Sequence, residues 1–246
     1  MIVPIFAEPG STADGSLNQF HRLIEIAAAA GCAAIKPQWT SSPDQLCARR
    51  RAPMYRMAYE KISYPLAWHA ELRDTAHALG MKYMATVYLP EDAARIAPFV
   101  DAIKCASFEA QDYEFLAALQ ATGKPIYVST GMMTLAEVMR SARFAAAILH
   151  CTSAYVAPPA SLNLRAIHTL RGALTVPVGY SDHSANSLTG ALAVACGAAL
   201  IEVHMRPHDC DSNNADYAVS LSPVQLAEYE ANVRIAEMML RDGEKR

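Results

Sequence analysis

Charge is scarce in this chain and neither sign dominates: 18% of the 246 residues are charged, and 21 Lys and Arg against 24 Asp and Glu leave a net charge of -3. Without a basic excess there is no electrostatic footprint for nucleic acid or an anionic membrane surface. No apolar run approaches the roughly 18 residues a membrane helix needs, and the start MIVPIFAEPG lacks the basic flank and length of a signal peptide. The six cysteines (Cys32, Cys47, Cys105, Cys151, Cys196 and Cys210) form no CxxC pair. They imply no disulfide framework, and most read as small core hydrophobes. Low-complexity segments and a second domain are also lacking. With 52% hydrophobic residues the chain can bury one sizeable core, so a single domain over residues 1–246 is expected, in a soluble cytoplasmic protein.

What the chain has is a beat. Short, β-rich apolar runs occur at 2–7, 33–36, 83–88, 102–106, 125–130, 147–152, 176–181 and 200–205. Longer stretches with helical spacing lie at 17–30, 66–79, 93–99, 113–122, 135–144, 162–170, 187–196 and 223–240. Asp14 and Ser16 offer caps for the first helix, Thr134 precedes LAEV, and Ser222-Pro223 opens the last one. Eight strands alternating with helices predict an α/β fold of the (β/α)8 TIM-barrel type, because a doubly wound sheet usually closes at about five or six strands. Residues 39–65, with Ser-Ser-Pro, Arg49, Arg50, Arg51 and a Pro-Met-Tyr stretch, read as a long loop over the barrel mouth. Met132, Met133, Met238 and Met239 read as core gap-fillers.

In such a barrel the chemistry sits at the carboxyl ends of the strands. In chain order those ends carry Glu8; Lys36 and Gln38; Thr86; Lys104, Ser107 and Glu109; Ser129 and Thr130; His150 and Thr152; Ser181, Asp182 and His183; Glu202 and His204. Buried charges need partners or a ligand, so a ring of them points to a site. His183 and His204 come from the last two strands, which are neighbours, and two imidazoles with oxygen or water suit Mn, Fe, Co or Zn. Lys36 and Lys104 can act as anion-binding charges or, with a depressed pKa, as Schiff-base amines; the hydroxyls of Ser107, Ser129, Thr130 and Ser181 favour the anion. FAEPG has no His-x-His on the first strand, which excludes an amidohydrolase-type centre.

The runs AEPG (7–10), DGSL (14–17), IKPQ (35–38), IKCASFE (103–109), VSTGM (128–132), LHCTSAY (149–155), GYSDHS (179–184) and EVHM (202–205) fall in order along the chain. Together they resemble the N-acetylneuraminate (sialic acid) synthase family from residue 5 to about residue 221. The resemblance implies a barrel that condenses phosphoenolpyruvate with a sugar aldehyde, releases phosphate and makes a 2-keto-3-deoxy acid, with a divalent metal, Mn or Mg, and Co or Zn as further candidates. It implies His183 and His204 as metal ligands. Lys36, Lys104, Ser107, Ser129 and Ser181 would hold the phosphate and carboxylate, and Gln38, Thr86, Tyr155 and Asp216 would face the sugar or the reacting carbons. Glu8, Lys36 and Glu109 are the expected catalytic groups, with Glu109 managing the water that attacks C2.

The chain departs from the family pattern at Ser153, at Val156, at Pro37 and in the stretch 206–220 before and after Asp216. The family's small C-terminal domain, which lends cover to the mouth, is not expected here. Cover would then come from segments 41–59 and 206–217, from a second copy of the chain, or from a separate lid-providing protein. Two other readings stand beside this one. One is a 3-deoxy-octulosonate-phosphate-type or heptulosonate-phosphate-type synthase, with Arg49, Arg50, Arg51 and Arg206 on the acceptor phosphate; the other is a non-catalytic ligand-binding barrel.

Overall fold

Each of the eight apolar runs forms a parallel strand in the computed structural model, which describes residues 2–240. They are β1 (Ile5–Glu8), β2 (Ala34–Ile35), β3 (Lys82–Thr86), β4 (Ala102–Cys105), β5 (Ile126–Ser129), β6 (Ala147–Cys151), β7 (Val178–Asp182) and β8 (Ile201–His204). They close in sequence order into one barrel. Closure is the β1–β8 ladder, in which Ile5 lies opposite Ile201 and Glu8 opposite His204.

The period-two alternation of side chains along a strand turns this barrel into layers. One face of the strands meets the surrounding helices through Ile5, Ile35, Tyr83, Ile103, Val128 and Ile201. The other face points inward. Phe6, Ala34, Met84, Ala102, Tyr127, Leu149 and Leu200 form a single apolar cluster, the floor of the barrel. Gly179 belongs to this layer because a Cβ there would lie 2.6 Å from Leu200 Cγ. Two residues further along the same strands come Glu8, Lys36, Thr86, Lys104, Ser129 and Glu202. The polar layer therefore stands directly on the apolar one, at the carboxyl end.

The helices are α1 (Leu17–Ala29), α2 (Pro43–Arg50), α3 (Arg56–Lys61), α4 (Trp68–Ala78), α5 (Pro90–Ile96), α6 (Tyr113–Gln120), α7 (Leu135–Ser141), α8 (Ala166–Ala173), α9 (Thr189–Ala195) and α10 (Pro223–Leu240). Ser16 caps α1 by accepting from the Gln19 amide, and Thr134 with Glu137 makes a capping box on α7. Asp14 does not cap; it takes a left-handed conformation and its carboxylate pairs with Lys61. On the far side, α10 locks onto β7: Tyr229 donates to Asp182 Oδ2 at 2.8 Å. Its ring packs so closely on α9 that a Cβ at Gly190 would sit 2.4 Å from it.

Several expectations are corrected. Residues 39–65 are not a loop: Ser42 caps α2 through the Gln45 amide, a 3-10 turn spans Pro53–Tyr55, and α3 follows. The helix expected at 162–170 begins at Ala166 and is preceded by a 3-10 turn. Met132, Met238 and Met239 are exposed, not core. Four cysteines are buried, while Cys196 and Cys210 are half-buried. Among the described residues no helix is long and apolar enough to cross a membrane.

Candidate active site

The polar layer opens into a cavity of about 480 Å³ at the carboxyl end of the barrel, well within the size range of small-ligand sites. Lys36, buried at the end of β2, lies 2.8 Å from Glu8 Oε2 and 3.5 Å from Glu202 Oε2 and donates to Thr86 Oγ1 at 2.7 Å. Lys104 donates to Ser129 Oγ at 2.7 Å and lies 3.5 Å from Glu202 Oε1. Ser181 donates to the same Glu202 oxygen at 2.9 Å, and Gln38 donates to Glu8 Oε1 at 2.6 Å. Two ammonium groups and two carboxylates thus interlock, as buried charges must.

Burial alone would raise the Glu8 carboxyl, but Lys36, His204 and Lys104 hold it well below the usual carboxylate range. Burial would lower Lys104; Glu202 and Glu8 more than offset this, and its ammonium is raised above its ordinary value. A Schiff-base amine must be neutral, and the raised ammonium of Lys104 runs against that role. Ser107 lies at the same end: its hydroxyl accepts from the Gly131 amide at 3.0 Å and sits 3.1 Å from Cys151 Sγ. Thr130 turns away and donates to the Leu149 carbonyl.

His183 and His204 face each other across the cavity with ring centroids 5.5 Å apart. Burial and the neighbouring His204 push the His183 imidazole down to about 4, so it is neutral near pH 7. Its Nδ1 lies 2.9 Å from the Thr152 carbonyl oxygen. That carbonyl can only accept, which puts the proton on Nδ1 and leaves the Nε2 lone pair for a ligand. His204 Nδ1 is a buried polar atom with no hydrogen-bond partner, and His204 Nε2 is 3.7 Å from Glu8 Oε2. The donor set fits a two-histidine centre completed by water or ligand oxygens; no group of three His, Cys, Asp or Glu is arranged for an ion among the described residues. Tyr155 stacks on His183 at 4.3 Å, and its ring meets His204 edge-on.

Asp216 reaches the cavity from the segment after β8, where the Ser11 amide and hydroxyl each lie 2.7 Å from its Oδ2. Gly10 makes this possible: with φ +53 and no side chain, it leaves the space in which a Cβ would meet Asp216 Oδ2 at 2.5 Å.

Glu8, Lys36, Gln38, Thr86, Lys104, Ser107, Ser129, Tyr155, Ser181, His183, His204 and Asp216 all line this one cavity. Glu109 does not. Both of its oxygens are engaged by Arg50, at 2.7 Å from Nε and 2.7 Å from a terminal nitrogen. The arginine triplet is not a free loop either. Arg49 pairs with Asp112, Arg50 forks Glu109, and Arg51 is exposed at the end of α2. Arg50→Ala would strand a fully buried carboxylate and is expected to cost about 3–5 kcal/mol, seen as a lower urea midpoint. Arg51→Ala should leave the midpoint unchanged; equal effects would show that the fork carries no stability.

Glu202 was legible as a strand-end residue yet received no role from sequence, although the spacing in EVHM puts it on the same inward face as His204. Arg50, Tyr59, Tyr88 and Phe108 also line the cavity. They arrive from the insertion after β2, where the sequence marked Arg50 and the segment 41–59 as candidate cover, and from the loops after β3 and β4, where Tyr88 and Phe108 had no local signal. Segments 41–59 and 206–217 both contribute to the rim, through Arg50, Tyr55 and Tyr59 and through Ala215 and Asp216.

The model of the NeuB family matches residues 23–245. A pseudaminic acid synthase of Campylobacter jejuni subsp. jejuni is 33% identical over 261 residues, covering 97% of this chain and 75% of that protein. An N,N'-diacetyllegionaminic acid synthase of Legionella pneumophila is 30% identical over 266 residues, covering 98% and 74%. Among solved structures, an N-acetylneuraminic acid (sialic acid) synthetase from Leptospira borgpetersenii, in complex with citrate, superposes with a TM-score of 0.91 at 26% identity, covering 100% of this chain and 87% of that one.

Proposed function

The chain belongs to the NeuB family of carbon-carbon bond-forming synthases, which condense phosphoenolpyruvate with a sugar, and from that premise we propose how its own residues carry the reaction. C3 of phosphoenolpyruvate attacks the aldehyde carbon of an aldose or aminosugar, water adds at C2, and phosphate leaves by cleavage of the C2–O bond to give a 2-keto-3-deoxy acid. The observation that carries this reading is that one cavity is lined by Lys104, Ser107, Ser129 and Ser181 together with the pair His183 and His204.

Lys104 and the three serines hold the phosphate and carboxylate, because charge-assisted bonds in a buried site are strong and orient the enol. Lys36, fixed by Glu8 and Thr86, places a second positive charge beside the reacting carbons. His183 and His204 would hold a divalent ion, Mn or Mg, and Co or Zn as alternatives, which supplies Lewis-acid polarisation of the aldehyde oxygen. Of the three lining carboxylates, Asp216 is held by Ser11 and Glu8 has both oxygens taken, by Gln38 and Lys36. Glu202 Oε2 lies 3.5 Å from Lys36 Nζ and makes no hydrogen bond; it is the oxygen we assign to orienting the water that adds at C2. Tyr155 and Asp216 stand on the acceptor's side of the histidines.

The test is incubation with phosphoenolpyruvate, Mn and a panel of aldoses, following phosphate and keto acid. With 18O in the bridging position of phosphoenolpyruvate, the label is expected in the phosphate. Label retained in the keto acid overturns the order of steps, and no phosphate release with any acceptor overturns the function.

A further inference from the structure

We propose that Tyr229, on a helix outside the barrel, is a positioning residue for His183: its hydroxyl holds the Asp182 carboxylate, which turns the chain at His183 and aims the imidazole into the cavity. The inference rests on the synthase reading above, in which His183 and His204 would hold a divalent ion, and adds what fixes the geometry of that pair. The backbone supports the two histidines differently. His204 is the last residue of β8 and is paired with Glu8 in the β1–β8 ladder. His183 lies one residue past β7, whose ladder with β8 ends at Asp182 opposite Val203. Side chains on strands are held more precisely than side chains on loops, so the direction of His183 depends on whatever fixes the turn.

Buried contacts fix it. Asp182 points away from the cavity, while Ser181 and His183 on either side of it line that cavity. Its Oδ1 accepts from the Ser184 amide at 2.8 Å, so the side chain spans His183 in an Asx turn. Its Oδ2 accepts from the Tyr229 hydroxyl at 2.8 Å. Tyr229 is buried on α10 and reaches Asp182 because α9 carries glycine at 190: a Cβ there would lie 2.4 Å from the ring Cζ and 2.6 Å from the hydroxyl oxygen. On the other side, the Ala157 amide donates to the His183 carbonyl at 2.8 Å, and the ring Nδ1 lies 2.9 Å from the Thr152 carbonyl oxygen. The imidazole is therefore aimed from two directions, by the segment after β6 and by α10. Without the phenol, a buried carboxylate oxygen loses its donor and the Asp182 side chain must turn to find another, which loosens its bond to the Ser184 amide. A ligand site tolerates displacements of only about 0.5 Å, so this slack reaches the histidine pair.

The experiment titrates Mn into the metal-free protein without substrates and follows free Mn by electron paramagnetic resonance. Tyr229→Phe keeps the ring in its notch and removes only the hydroxyl. It is expected to weaken Mn binding at least about ten-fold, as removal of groups that orient a ligand does, with an unchanged circular dichroism spectrum. Val233→Ala, one turn further along α10 and equally buried, removes packing without touching Asp182 and should leave Mn affinity unchanged. In an Asp182→Ala background, adding Tyr229→Phe should cost nothing more, because the bond is already gone. Asp182→Asn can still accept from Ser184 and donate to the Tyr229 oxygen, so it should bind Mn more tightly than Asp182→Ala; this comparison decides the matter where Tyr229→Phe does not fold. Wild-type affinity in Tyr229→Phe overturns the proposal, as does an equal loss in Val233→Ala or a further loss in the double variant. In turnover, the kcat of Tyr229→Phe should recover as Mn is raised to saturation, with the KM for phosphoenolpyruvate unchanged, since Lys104 and Ser129 stand on other strands. The expected Mn pattern without turnover of any sugar by the wild type would remove the synthase reading and leave this inference standing. Turnover by a wild type that binds no Mn would remove this inference alone.

Discussion

His183→Ala or His204→Ala is expected to abolish metal-dependent phosphate release, with a fall in kcat/KM of at least about 10³-fold, while the barrel stays folded. Each figure of 1.36 kcal/mol in barrier height is about ten-fold in rate, and a Lewis acid at a developing alkoxide contributes several such factors. The fold should survive because the apolar floor of Phe6, Met84, Leu149 and Leu200 lies below the histidines. His204 closes the last pair of the β1–β8 ladder and His183 lies just past β7. Binding of Mn, followed by electron paramagnetic resonance, should weaken in step with turnover, and circular dichroism should be unchanged. A variant that keeps full activity, or that loses activity while binding Mn normally, would remove the metal from this pair.

The barrel was legible because eight short runs alternate with helical stretches, and because a period of two makes every inward position predictable once one is known. From Phe6 the register gives Glu8, and from Ala102 it gives Lys104. Most of the strand-end residues likewise line one cavity, whereas Glu109, Thr130, His150, Thr152 and Asp182 do not. The misses share a physical cause, which is contact between segments far apart in the chain. The ion pair of Glu109 was not visible in the sequence, because its partner Arg50 lies 59 residues earlier on α2. Residues 39–65 looked like a loop because prolines and an arginine triplet outweighed the Ser42-Pro43 helix start. In the structure Pro43 occupies the first helical turn, where a missing amide proton costs nothing. Glu202 was visible as a polar strand end, yet its contacts with Lys36, Lys104 and Ser181 depend on three other strands at once. Met132 was assigned to the core from its residue type, whereas its place after β5 on an exposed turn with φ 65 is set by the backbone.

Lys104→Ala is expected to weaken phosphoenolpyruvate binding about 30-fold and the acceptor less than three-fold, since loss of a charge-assisted contact to a buried anion costs about 2 kcal/mol. The asymmetry follows from position: Lys104 points at Ser129, with Ser107 just beyond its strand. The effect has two parts. The ligand loses its cation, and Glu202 then faces the incoming anion with one counter-charge fewer. Lys36 remains 3.5 Å from Glu202 Oε2, so that carboxylate is not left bare and the variant should fold. The two parts can be separated. If repulsion from Glu202 contributes, Glu202→Gln added to Lys104→Ala should recover part of the phosphoenolpyruvate affinity while leaving turnover low, because the oxygen assigned to the attacking water is then an amide. A double variant no tighter than the single one would assign the whole loss to the missing ammonium. Equal losses for phosphoenolpyruvate and acceptor would place Lys104 between the two substrates, not at the anion end.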